Sequence, residues 1–271
     1  MPILNKDMTL CISLAARPSN IGTRFHNYLY DELGLNFVYK AFTTTDIEGA
    51  IRGVRALGIR GCSVSMPFKE AVIALVDEVE PSASAIESVN TIVNEDGRLI
   101  ASNTDYEAVG ALLAESGIDR GAPVLVRGSG GMAKAVVAAF RGSGFSDLTV
   151  YARNARAGAA LAEHYGYRST DAEPEPGASV IVNVTPLGMH GPDAAVQSFS
   201  AGAIAAADTV FDVVAFPDRT PLIVAAEAAG KKVITGAQVI ALQAAAQFEK
   251  YTGVAITADQ VARASQFSRA N

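Results

Sequence analysis

The segment Gly128-Ser129-Gly130-Gly131-Met132-Ala133 constrains this chain more than any other. It follows the apolar run PVLVR (residues 123–127), which reads as a fully buried strand, and it opens a helical pattern over residues 131–141. A G-x-G-x-x-A sequence between strand and helix is the phosphate-binding turn of a doubly wound α/β sheet. The first glycine permits a tight turn, the second lets the backbone approach a pyrophosphate, and the small Ala133 lets the helix pack closely on the sheet. The free N–H groups and positive dipole of the helix N-terminus then face the anion. Gly128, Ser129, Gly130, Gly131, Met132 and Ala133 are therefore candidate cofactor-binding residues.

The end of the next strand decides which dinucleotide. A site for NAD places an Asp or Glu about 20 residues on, against the ribose 2′-OH. Here the segment is Tyr151-Ala152-Arg153-Asn154-Ala155-Arg156, with two arginines and no acid. A guanidinium there pairs with a 2′-phosphate through charge-assisted hydrogen bonds. The expected cofactor is NADP (NADPH), with Arg153 as its 2′-phosphate contact.

The rest of the chain alternates short apolar runs with helical patterns. Strands are expected at residues 9–13, 37–42 and 61–65, and helices at 23–33 and from about 47, the latter opened by a Thr45/Glu48 capping-box pattern. Pro67 is expected to open a helix running to about residue 76. Residues 89–93 and 99–102 read as a hairpin joined across 94–97. This order implies a mainly parallel sheet with helices on its faces. After Asp105 the rhythm restarts. Strands at 123–127, 147–152, 180–184, 209–213 and 232–234 alternate with helices at 106–116, 131–141, 155–165 and 221–229, the pattern of a doubly wound domain. Two further helices, 236–251 and one from about 257, are expected to return to the first domain and make it discontinuous. The division expected is thus residues 1–105 with 236–271, and residues 106–235.

Composition excludes several classes. At 49% hydrophobic and 18% charged residues the chain is globular and not disordered. A net charge of −6 speaks against a protein that coats nucleic acid. The two cysteines, Cys11 and Cys62, form no disulfide framework, and with the three scattered histidines (His26, His164 and His190) they give no metal-ligand spacing. They fit a reducing cytoplasm. No basic segment followed by a long apolar stretch marks a leader, and no run of about 18 apolar residues marks a membrane span.

Two segments place chemistry-bearing side chains at strand-to-helix junctions, where open α/β sheets bind ligands. They are Ser65-Met66-Pro67-Phe68-Lys69-Glu70 and Asn103-Thr104-Asp105-Tyr106. Reduction of a ketone by hydride leaves negative charge on oxygen, and a lysine ammonium stabilises that charge or delivers the proton. Asp105 could hold a substrate hydroxyl and Lys69 together.

These residues resemble the shikimate dehydrogenase family, and the resemblance covers almost the whole chain. Its markers are Val64-Ser65-Met66-Pro67-Phe68-Lys69, Ser88-Val89-Asn90-Thr91, Asn103-Thr104-Asp105, the glycine turn, Asn183-Val184-Thr185-Pro186-Leu187-Gly188-Met189, and Gly236 through Gln243 with Ala244-Ala245. The resemblance implies an N-terminal, mainly parallel α/β substrate domain and a Rossmann-like nucleotide domain with the active site in a cleft between them. It implies Lys69 and Asp105 as the catalytic pair, and Asn90 and Gln243 as substrate contacts. Asn183, Thr185, Met189 and Gly236 then match positions near the cofactor. The implied reaction is reversible oxidation of shikimate to 3-dehydroshikimate with NADP, within aromatic amino acid biosynthesis, by a cytoplasmic monomer or homodimer.

Two departures point to a shikimate dehydrogenase-like subgroup. The family carries two serines, one residue apart, that bind the substrate carboxylate; Asn20 and Gly22 stand at those positions here. Ser19, Asn20, Thr23 and Arg24 could replace those contacts, and Asn20 and Thr23 are the candidates carried forward. A tyrosine expected after Phe211-Asp212 is absent, with Ala215 in its place. Shikimate is therefore expected to be turned over weakly, or a related hydroxy acid preferred. Quinate or another alicyclic polyol is the alternative substrate. An NADP-binding regulatory module with little activity is the alternative from another class.

Overall fold

The computed structural model describes residues 4–270. The chain forms two compact units, Met1–Thr104 with Ala241–Asn271, and Asp105–Ile240. In chain order the first contains β1 (Thr9–Leu14), α1 (Asn20–Glu32), β2 (Phe37–Phe42), α2 (Ile47–Ala56), β3 (Gly61–Val64), a 3-10 stretch (Ala71–Leu75), β4 (Glu78–Val79), α3 (Pro81–Ser84), β5 (Thr91–Glu95) and β6 (Arg98–Ser102). The second begins within α4 (Thr104–Glu115) and continues through β7 (Val124–Arg127), α5 (Gly131–Gly142), β8 (Leu148–Tyr151), α6 (Ala155–Tyr165) and β9 (Arg168–Thr170). It then adds β10 (Val180–Asn183), α7 (Ala201–Ala206), β11 (Thr209–Asp212), α8 (Pro221–Ala228) and β12 (Lys232–Thr235). Most of α9 (Gly236–Thr252) and all of α10 (Ala258–Arg269) belong to the first unit.

The first sheet has the order β2-β1-β3-β5-β6-β4. β1 pairs in parallel with β2 and β3, and β4 with β6, whereas β5 is antiparallel to both its neighbours. Only β5 runs against the rest, so the sheet is mainly parallel. The start of β5 therefore lies at the edge where β1, β3 and β6 end. A two-residue Asp96-Gly97 turn, with both φ angles positive, joins β5 to β6. The second sheet has the order β12-β11-β10-β7-β8-β9, and every pairing is parallel. Counted from β7 this is 3-2-1-4-5-6, the Rossmann order, with the switch point between β7 and β10. Its central strands are buried almost throughout because both faces are covered.

Several local expectations are corrected. Asp46, not Thr45, caps α2: its carboxylate accepts from Gly49 N at 2.7 Å, while Thr44 Oγ1 accepts from Asp46 N at 2.9 Å. Pro67 opens no helix. The Met66-Pro67 peptide is cis, and only the 3-10 stretch follows, because the intervening backbone bonds outward. Ala16 N donates to Met66 O and Val89 N to Lys69 O. The short elements β4, α3, β9 and α7 were not expected from the sequence. A capping box does occur, at α10, where Thr257 and Gln260 satisfy each other's backbone N–H.

The core of the first unit contains an aromatic layer between the sheet and helices α1 and α9. Phe25, Leu29, Tyr30, Tyr39, Phe248 and Tyr251 are buried there. His26 lies among them, fully buried, with its ring stacked on Tyr39 at 4.4 Å and neither ring nitrogen hydrogen-bonded. Burial pushes its pKa down to about 3, and nearby Gln247 offsets little of that. Between pH 6.5 and about 3 the unfolded chain binds a proton that native His26 refuses, so native stability falls as pH drops. The loss is about 1.4 kcal/mol per pH unit for one proton. Thermal unfolding followed from pH 7 to 4 should show this acid limb, and His26→Phe should flatten it; identical limbs would rule the explanation out.

Candidate active site

In the first unit, the candidate residues sit on loops at one sheet edge. β1 ends at Leu14 and leads to α1, which carries Asn20 and Thr23 in its first turn. β3 ends at Val64 and leads to Lys69. β6 ends at Ser102 and leads to Asn103 and Thr104. β5 starts at this edge, so Asn90, just before it, sits between the ends of β3 and β6. Val64 N donates to Asn90 O at 2.8 Å, and Asn90 N to Ser102 O at 3.1 Å. The lysine loop is held from both sides, by Ser65 N on Leu14 O at 2.9 Å and by Val89 N on Lys69 O at 2.8 Å. Lys69 itself is half-buried.

Asn90 is 3% exposed and its side chain is largely committed to the fold. Oδ1 accepts from Thr104 N at 2.8 Å, Thr104 Oγ1 at 3.1 Å and Thr91 Oγ1 at 2.8 Å. Only its Nδ2 remains to offer donors. Through Thr104 this network fixes the first turn of α4, whose next residue is the half-buried Asp105. Gln247 of α9 braces the network from below: its Nε2 reaches Ser63 Oγ, Asn90 O and Thr91 Oγ1 at 2.9–3.2 Å. Gln243, one turn earlier on the same helix, is half-buried and makes no side-chain hydrogen bond among the described residues. The two glutamines separate the structural role from the available one. Gln247 went unassigned from sequence; its place four residues after Gln243, on the same helix face, is the one local signal it carries.

Asn20 is exposed, and Thr23 is half-buried with an unpartnered, buried Oγ1. At Gly22, between them, an added Cβ would stand 3.6 Å from the Tyr39 hydroxyl, an ordinary contact. That hydroxyl lies against Ser13 and Ser63.

In the second unit, the glycine turn joins β7 to α5. Gly128 has φ +127°, and an added Cβ would meet Val184 Cγ2 at 2.8 Å. This turn presses against the loop after β10, and only glycine fits it. Gly130, the N-cap of α5, uses no side-chain cap, and no atom lies within 4 Å of where a Cβ at Gly130 or Gly131 would stand. Ala133 is fully buried, while Ser129 and Met132 are half-buried. The bare turn opens onto a cavity of about 340 Å³, whose lining includes Ser129, Arg127, Arg153, Thr185 and Asp193. Arg153 and Arg156 are exposed and make no ion pair among the described residues; Asn154 caps α6, accepting from Ala157 N at 3.1 Å. An open phosphate cradle beside an arginine-bearing, acid-free strand end fits a phosphorylated dinucleotide.

Asn183, at the end of β10, is fully buried, and its amide is used by the fold. Nδ2 donates to Leu187 O and Asp212 Oδ1, and Oδ1 accepts from Thr185 N and Thr185 Oγ1. Its side chain thereby shapes the Thr185 loop. Asp212 anchors the same network, accepting from Val214 N at 3.0 Å and Thr220 Oγ1 at 2.6 Å. Burial raises its carboxyl pKa above the ordinary range. Met189 is exposed, as is Phe216, whose ring meets His190 edge-on at 5.7 Å. Gly236 is buried against the loop after β11, where an added Cβ would stand 2.3 Å from Val213 O. Arg127 and the Asp212–Thr220 pair went unassigned from sequence. A cation closing the otherwise apolar run before Gly128 was the visible signal for Arg127. Among the described residues no cluster of three or more His, Cys, Asp or Glu could hold a metal, and no helix is long and apolar enough to cross a membrane.

Two outcomes test the Asp212 network. Asp212→Ala leaves three donors unpaired in the interior and should cost about 3–5 kcal/mol in chemical denaturation. Asp212→Asn keeps an acceptor and removes a buried charge, so its cost should be far smaller; equal losses would show that the carboxylate bonds are not what holds these loops.

Comparison with known proteins agrees with this geometry. Residues 20–92 match the model of the shikimate dehydrogenase substrate binding domain. The shikimate dehydrogenase-like protein of Haemophilus influenzae is 55% identical over 98% of this chain and 99% of its own. The shikimate dehydrogenase (NADP(+)) of Chlorobaculum tepidum is 36% identical over 87% of each chain. The solved shikimate 5-dehydrogenase of Thermus thermophilus, in complex with NADP(H) and shikimate, superposes with a TM-score of 0.86 at 30% identity, covering 96% of this chain and all of that one. With sheet order, glycine turn and near-full-length identity in agreement, this chain belongs to the shikimate dehydrogenase family.

Proposed function

We propose that this protein is an NADP-dependent oxidoreductase acting reversibly on a ring hydroxyl of shikimate or a closely related cyclic hydroxy acid. The observation that carries the reading is the glycine-turn cavity of the second unit, whose strand-end rim bears an arginine where an NAD site needs an acid. Gly128 to Ala133 and Arg153 would hold the cofactor, with Thr185, Met189 and Gly236 at the loops beyond. When bound, its nicotinamide supplies or accepts the hydride.

The remaining work falls to side chains of this protein. Lys69 stabilises the charge on the substrate oxygen and passes its proton. Asp105 orients the same hydroxyl. The Asn90 Nδ2 and the uncommitted Gln243 amide hold neighbouring ring hydroxyls. Asn20, at the first position of the family's serine pair, and Thr23, the neighbour of Gly22 with an unpartnered hydroxyl, would bind the carboxylate in place of that pair. Gly22 offers no side chain at that subsite and Ala215 offers no hydroxyl. Loss of two polar contacts lowers discrimination by several kcal/mol at most, so shikimate should be a poor substrate beside a related hydroxy acid. Cys11 and Cys62 are buried free thiols, which supports work in a reducing compartment such as the cytoplasm.

The test is NADPH-linked absorbance with 3-dehydroshikimate, and NADP-linked absorbance with shikimate, quinate and a panel of cyclic hydroxy acids. Turnover on at least one is expected. Lys69→Ala should lower kcat by roughly 10²–10⁴-fold while the NADPH Kd stays within about threefold. Tight NADPH binding with no turnover on any member of the panel would favour a regulatory module instead. Arg153→Asp should move preference from NADPH toward NADH; an unchanged NADPH affinity would defeat that assignment.

A further inference from the structure

Arg127 is the last residue of β7, immediately before the glycine turn, and it lines the cavity there. It ends a strand whose other residues, Val124, Leu125 and Val126, are buried. Such a position ordinarily carries an apolar side chain, and a half-buried guanidinium there needs compensation. Part of it is visible. The guanidinium carbon lies 5.0 Å from the centroid of the Tyr151 ring, on the neighbouring strand, and Nη1 donates to Ser198 O. No carboxylate pairs with Arg127 among the described residues. Its partners are a π-face and a carbonyl, and both leave its full charge uncancelled.

The location says what that charge serves. Arg127 pairs in register with Tyr151 on one side and Asn183 on the other, so it stands at the switch point. In a doubly wound sheet the pyrophosphate rests on the glycine turn and the adenosine ribose reaches the end of the second strand. The space between them is this cavity, lined by the glycine turn, by Tyr151–Asn154 and by the loop from Val184 to Leu187. Asp193 is the one acid among the lining residues, against Arg127 and Arg153.

We propose that Arg127 is a specificity-determining residue: a second, fixed cation beneath the adenosine end of the cofactor that favours the phosphorylated ribose over the unphosphorylated one. Tyr151 and Ser198 hold the guanidinium in place, so little ordering entropy is lost when the phosphate arrives. Arg153, exposed on the rim, contributes the mobile contact and Arg127 the fixed field. The inference rests on the NADP reading above and adds a residue to it.

The experiment measures Kd for NADPH, NADH and adenosine 2′,5′-bisphosphate by titration calorimetry with the wild type, Arg127→Met and Arg127→Lys, with thermal melting of each protein without ligand. The expected result is that Arg127→Met weakens NADPH and the bisphosphate about tenfold, with NADH changed less than threefold. Arg127→Lys retains the charge and should keep most of the preference, even though it loses the stack on Tyr151. Unchanged NADPH affinity in Arg127→Met would overturn the proposal. So would equal losses for NADPH and NADH, which would make Arg127 a brace for the Ser198 loop or a stacking platform for adenine. If Arg127→Met is too unstable to titrate, the lysine variant decides alone: loss of the NADPH preference with the charge retained overturns the proposal. A wild type that binds neither dinucleotide would refute the cofactor reading itself and this inference with it, an outcome distinct from all of these.

Discussion

Each unit depends on one buried asparagine at the ligand edge of its sheet. Strands ending side by side leave backbone groups that the next loops must satisfy, and a buried amide oxygen can accept several of those bonds at once. Asn90 spends its oxygen on Thr104 and Thr91, which sets the first turn of α4 and hence Asp105. Asn183 spends its oxygen on Thr185 and its nitrogen on Asp212 and Leu187, which sets the loop beside the glycine turn. In both, the buried amide positions the loops that follow: the first turn of α4 with Asp105, and the Thr185 loop beside the glycine turn. Asn90 retains a donor for a ligand, whereas Asn183 retains none.

That division of labour recurs. Gln247 is structural and Gln243, a turn away, is uncommitted. Arg127 is fixed while Arg153 is exposed on the rim. Gly128 must be glycine because Val184 presses on it, while Gly130 and Gly131 are bare toward open space. In each pair one residue is fixed by the fold and the other is left uncommitted, the arrangement by which a site is preorganised without burying its working groups.

Much of this was legible in the sequence because the signals were local. The glycine turn between an apolar strand and a helix, the short apolar stretches of β7 and β10, and the helical period of α6 each sit within a dozen residues. What escaped had no local signature. β9 is a short, largely exposed edge strand, Arg168–Thr170, with no apolar alternation. α7 has only six residues, too few for a period to show. The Pro67 region looked like a helix start because proline favours the first helical turn, yet its backbone groups bond across to Ala16 and Val89 instead. The Gln247 network joins residues more than 150 positions apart, a separation at which a single sequence carries no pairing information.

The central claim is that the second unit takes a phosphorylated dinucleotide at the glycine turn and the adjacent strand ends. Hydrogen–deuterium exchange with and without NADP measures this directly. The account predicts slowed exchange confined to residues 127–134, 151–156 and 184–189, with the remaining strands of that sheet unchanged. Uniform exchange rates in both conditions, or protection concentrated at the opposite edge of the sheet, would contradict it.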